Sequence, residues 1–223
     1  TNVTTTETSV LTPGENTNVT ANVTTTDSTG SRYVSEKAKE TAEKAFGNVD
    51  ASKALTSEDI KAPDNLTDSQ NGVLDSVKES LDALPANVRS VAKSVTVVNE
   101  NNGNPDYVSS ANGEITINAH YFDTDTVGES TKALYHEIGS IIDESTYDSA
   151  SGYSLSRDET VQPLLKTAYP GRPNYEAFAS LFGTYMLQET GQKAISTAVD
   201  MEIKKYFDTV LNGFTVPKSD SIT

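Results

Sequence analysis

The richest chemistry in this 223-residue chain lies in His136-Glu137-Ile138-Gly139-Ser140. In the pattern H-E-x-x-H, two imidazoles one helical turn apart hold Zn²⁺ and the glutamate beside the first takes a proton from metal-bound water; here the fifth position is serine. On a helix His136 and Ser140 share one face, about 6 Å apart, and Asp143 continues that face a turn further. Leu134, Ile138, Ile141 and Ile142 flank these residues, so the helix is expected to be buried around most of its circumference with polar groups turned inward. Burying a histidine and carboxylates is costly unless each finds a partner. A backbone carbonyl satisfies a buried histidine as well as a metal does, so the spacing alone leaves both open.

Other chemistries fit less well. Asp123-Thr124-Asp125 with Gly128 opens like a calcium loop, but Val127 stands at a ligand position and Leu134 where the bidentate glutamate belongs. His136 and Ser140 as base and nucleophile would lack a G-x-S-x-G elbow or any oxyanion feature. The stretch NENNGNPD at 99–106 has turn composition. His120, near a strand end, cannot be assigned to a metal from its position in the chain.

The elements that must position His136 follow from periodicity. SEKAKETAEKAF at 35–46 is a helix with few apolar residues, and Leu74, Val77, Leu81 and Leu84 mark an amphipathic helix ending before Pro85. VTVVN at 95–99 and GEITINA at 113–119 are β-branched, are separated by turn residues and read as two strands. Beyond them the chain is expected to be helical: a helix capped near 129–131 and running to about Glu144, a shorter one over DETVQPLLKTA interrupted or begun near Pro163, then NYEAFASLFGTYMLQE and QKAISTAVDMEIKKYFDTVL. A small sheet followed by a mainly helical half is an α+β arrangement.

Residues 1–30 differ from the rest: TNVTTTETS is echoed by NVTTTDST, rich in Thr, Asn and Val and without aromatics, and is expected to be an extended stalk or linker to a domain over 31–223. Seventeen basic against thirty-two acidic residues give a net charge of −15, which opposes binding to nucleic acid or anionic lipid. There is no cysteine, hence no thiolate metal site, and no apolar run approaches the ~18 residues a membrane span needs.

Thirty-three residues past His136 the chain reads YPGRPNYEAFASLF. Together with the His136 helix this resembles the lethal-factor-like zinc metallopeptidases, the family of anthrax lethal factor and the Pro-Pro endopeptidases. There H-E-x-x-H-x-x-D is followed by a tyrosine and then by a glutamate opening E-F-F-A-E-x-F. His136, Glu137 and Asp143 match the first run; Tyr169, Glu176 seven residues later, Ala179 and Phe182 match the second, and the likeness covers roughly 74–210. The resemblance implies a zincin-like fold, with GEITINAH as the edge strand before the zinc helix. It also implies zinc held by His136, position 140 and Glu176, Glu137 as general base, Tyr169 steadying the oxyanion and Asp143 supporting the ligands from behind. Ser180 replaces the family's second glutamate, and Ser140 replaces a ligand. A serine hydroxyl is short and stays protonated near neutrality, so zinc is expected to be weak or absent here. Two functions are then open: a secreted zinc endopeptidase-type domain impaired at Ser140, or a degenerate peptidase domain serving as a non-catalytic binding or cell-surface module. Either way the expected partner is a peptide or protein.

Overall fold

The computed structural model describes residues 30–101, 108–122, 128–212 and 214. The expected Thr-rich stalk, apart from Gly30, and the Asp123–Val127 stretch lie outside these residues. Alternation sets the sheet. Strand β1 (Ser94–Val98) buries Val95 and Val97, and β3 (Glu114–Asn118) buries Ile115 and Ile117. These two pair in parallel, Val95 opposite Ile115, while β2 (Val108–Ala111) runs antiparallel on the other side of β3. The order β1-β3-β2 makes β3 central. GEITINAH, expected as the edge strand, is therefore not at the edge; that place belongs to VSSA of β2.

Seven helices accompany the sheet among the described residues: α1 (Glu36–Phe46), α2 (Asp68–Asp82), α3 (Ala86–Arg89), α4 (Glu129–Ser145), α5 (Gln162–Ala168), α6 (Asn174–Glu189) and α7 (Ala198–Val210). The α+β arrangement stands, with few strands relative to helices. Thr67 and Gln70 close a reciprocal cap on α2, as Thr197 and Asp200 do on α7. Helix α7 begins six residues later than its composition suggests, because Gln192 and Lys193 donate their amides back to the Leu187 carbonyl and close the end of α6. Helix α4 begins after Gly128 (φ 92°), so Ser130 and Thr131 do not cap it. They are buried instead, and Thr131 Oγ1 meets Ser80 Oγ of α2 at 2.7 Å.

Helices α4 and α6 pack at close range because Gly139 removes a side chain where α6 crosses. A Cβ there would lie 2.9 Å from the Ala179 carbonyl oxygen and 2.9 Å from Phe182 Cβ. Behind this contact Phe178, Phe182 and Tyr185 of α6 meet Tyr206 and Phe207 of α7 in an aromatic core. Among the described residues no helix is long and apolar enough to cross a membrane.

Candidate functional site

The α4–α6 contact brings together residues forty or more positions apart. His136 Nε2 lies 3.4 Å from Glu176 Oε2, and His136 Nδ1 lies 3.2 Å from Ser180 Oγ. Arg172 Nη1 donates to the same Ser180 oxygen at 3.0 Å. One directional arrangement fits the hydrogen bonds: Arg172 N–H donates to Ser180 and the Ser180 hydroxyl donates to Nδ1, which leaves Nε2 facing Glu176. Gly183 permits the approach, since a Cβ there would lie 3.4 Å from the His136 amide nitrogen.

Two clefts share the His136–Glu176 pair in their walls. One, of about 300 Å³, is lined by Ser109 and Ser110 of β2, by Glu137 and Ser140 of α4, and by Tyr175. The other, of about 690 Å³, carries Tyr169, Arg172, Ser180 and Thr184. Both share His136, Glu176 and Val108. Glu137 and Tyr169, expected to work on the same bound group, line different clefts. His120 lies in the turn after β3 and lines neither cleft.

Glu137 is buried, and burial raises its carboxyl above the ordinary glutamate range; a hydrogen bond from the Ser110 side chain and the neighbouring His136 pull the other way. A proton-accepting carboxylate with a raised pKa, facing a cleft, has the chemistry of a general base. Tyr169 is committed elsewhere: its hydroxyl lies 2.8 Å from Thr184 Oγ1 and 3.2 Å from the Ser180 carbonyl, which accepts from it. An oxyanion role would require the hydroxyl to leave both. Asp143 is buried and accepts from the Ser156 amide at 2.7 Å and from Ser154 Oγ at 3.4 Å, so it anchors the loop after α4, and burial raises its pKa as well. Ser110, Arg172 and Ser180 complete the site. Of these the sequence drew attention to Ser180 alone, as a departure from a motif, and none sits at a diagnostic spacing from His136.

The donor set can be tested against zinc. Tetrahedral ligands at 2.0–2.2 Å leave roughly 3.3–3.5 Å between a nitrogen and an oxygen donor. The 3.4 Å between His136 Nε2 and Glu176 Oε2 is such an edge. A catalytic zinc takes three protein ligands, however, and the position that the resemblance implies for the third is Ser140, which lines the same cleft. No group of three His, Asp or Glu side chains able to hold a metal occurs among the described residues. The described residues thus bring together two of the three donors that a catalytic zinc site takes. Ser180, His136 and Glu176 also follow the order of a nucleophile, base and orienting acid. In that arrangement the Ser180 hydroxyl donates to the imidazole and accepts from Arg172 Nη1, so the guanidinium is spent on the would-be nucleophile itself rather than on a developing oxyanion. Comparison with protein families, characterised proteins and solved structures finds no match to this chain.

Proposed function

We propose that this chain is a zincin-like domain of the lethal-factor-like type that binds an extended peptide in the cleft between β2 and the α4–α6 pair without hydrolysing it. The observation that carries the reading is the half-built site: two donors at the separation of a tetrahedral edge, a buried carboxylate beside them, and serine where the third donor would stand. Such a set holds the groups of a peptidase in place yet lacks the affinity for the metal they would need. Strand β2 supports the peptide-binding half. It pairs with β3 on one side, and its residues line the cleft, so a peptide backbone added along its other edge would pass His136 and Glu176. A secreted or cell-surface setting fits the Thr-rich segment upstream and belongs to the same proposal.

Restoring the third donor tests the reading. Ser140 lines open space, so the imidazole of Ser140→His has room to point along the His136 face one turn on. The variant is expected to bind close to one equivalent of zinc by calorimetry, and zinc at about 100 times its Kd should stabilise it by about 2.7 kcal/mol. Cleavage of a proline-rich peptide library by this variant, abolished on adding Glu137→Ala, is the expected companion result. One equivalent of tightly held zinc in the unaltered chain would sink the proposal, because a further ligand would then have to exist.

A further inference from the structure

The larger cleft holds a feature at odds with an acidic chain of net charge −15. Four of its lining residues can carry positive charge, and three of them face a carboxylate. Lys132 pairs with Glu129 at 2.8 Å, Lys193 with Asp200 at 2.8 Å, and His136 faces Glu176. Arg172 is different: no carboxylate among the described residues lies within ion-pair distance of its guanidinium. What holds it is neutral. Nη1 donates to Ser180 Oγ, and the guanidinium carbon stands 5.3 Å from the centroid of the Tyr169 ring. Tyr169 is itself fixed by Thr184, so the arginine rests on a rigid platform that leaves its charge uncompensated and most of its five N–H groups unspent.

We propose that Arg172 is the anchor for a carboxylate of the peptide seated in this cleft, supplied by an acidic side chain or by a free C-terminus. The inference rests on the peptide-binding reading above and adds what the cleft selects. A planar guanidinium fork matches a carboxylate with two parallel hydrogen bonds. One uncompensated cation balances one negative charge, whereas Glu129 and Glu176 on the same walls oppose a doubly charged phosphate. Phe122, Ala133 and Leu187 line the same space and give an apolar neighbour of that carboxylate a place to bury. The overall charge repels acidic ligands, so any preference for them has to come from a local cation such as this one.

The test uses the full chain and fluorescence anisotropy with labelled octapeptides, random except at one position fixed as Asp, Asn or phosphoserine, each with a free or an amidated C-terminus. Peptides with the carboxylate are expected to bind about ten-fold tighter than their amide counterparts, and the gap should shrink as salt rises. The Asp/Asn pair and the free/amidated pair tell the two sources apart. Arg172→Gln should erase the gap between carboxylate and amide peptides. Arg172→Lys, which keeps charge and stem but not the fork, should retain part of it, and melting curves of both variants verify the fold. Peptide binding without a carboxylate preference, a preference that survives Arg172→Gln, or tighter binding of phosphoserine than of Asp would each overturn the assignment while leaving the peptide-binding reading intact. Failure to bind any peptide would overturn both.

Discussion

Glu137 is held in place at a cost. Its carboxylate is buried on α4, where desolvation outweighs the help of Ser110 and His136, so its folded-state pKa lies above the unfolded one. A carboxyl with a raised folded pKa loses stability as pH climbs through the interval between the two values, and the loss is complete above the folded pKa. Glu137→Gln keeps the shape and the acceptor for Ser110 but removes the charge. It is therefore expected to melt higher than the parent at pH 8, with the difference closing toward about pH 4.3, where an unfolded glutamate titrates. A lower melting temperature for the variant at neutral pH would mean that the carboxylate has a charged partner that outweighs its burial. Stability surrendered at a single polar position is the mark of a residue kept for chemistry or binding. The sequence made this residue legible, along with His136 and Glu176, because one motif fixes their spacing on two helices. Arg172, Ser180 and Ser110 were not legible as site residues, since tertiary packing brings Ser180 to an imidazole 44 positions away and no local pattern records it.

At the scale of elements, the site depends on how closely α4 and α6 approach. A methyl group at position 139 would meet the Ala179 carbonyl oxygen at 2.9 Å and the Ala179 Cα at 3.0 Å, both backbone atoms that cannot swing aside. Gly139→Ala should therefore force the helices apart and cost about 1–3 kcal/mol, the usual range for overpacking a well-filled core. Gly183→Ala meets the His136 backbone at 3.4 Å, close to ordinary contact, and should cost well under half as much. Thermal melts of the two variants check the contrast, and equal losses would show that the glycine at 139 is not what sets the separation. Helix α6 was legible at both ends because Pro173 cannot continue an upstream helix and an apolar period runs unbroken behind it. Strand β2 was not: Val108-Ser-Ser-Ala is four residues long with a single large apolar side chain, and it is a strand because β3 offers it a partner. Helix α7 was misplaced at its start because Gln192 to Ser196 have acceptable helix propensity, yet the reciprocal cap at Thr197 and Asp200 and the backbone closure onto Leu187 prevail.

Over the whole molecule, two opposing sets of carboxylates shape the response to acid. At pH 7 the net charge of −15 favours expansion, and the buried carboxylates of Glu137 and Asp143 add their own penalty. Lowering the pH relieves both, so stability should first rise. Asp158 and Asp200 work in the other direction. Burial pushes each upward, but for Asp158 the hydroxyls of Ser35 (2.5 Å) and Tyr153 (2.8 Å) and the Thr160 amide (2.8 Å) outweigh it. For Asp200, Lys193 together with Thr197 and Ser196 does so by a wide margin. Both folded values lie below the unfolded ones, so each contributes stability that is in place above the unfolded pKa and is lost as pH falls through the folded pKa. These contacts join distant parts of the chain: Asp158 ties the loop before α5 to the start of α1, and Asp200 ties the start of α7 to the segment after α6. Melting temperature is therefore expected to peak near roughly pH 5 and to fall steeply below about pH 4. Added salt should raise it at pH 7, where self-repulsion is largest, and do little at the maximum. Asp158→Asn should lower the peak and flatten the acid limb, since a neutral amide has no proton left to gain. An acid limb as steep in that variant as in the parent would place the acid-labile link elsewhere.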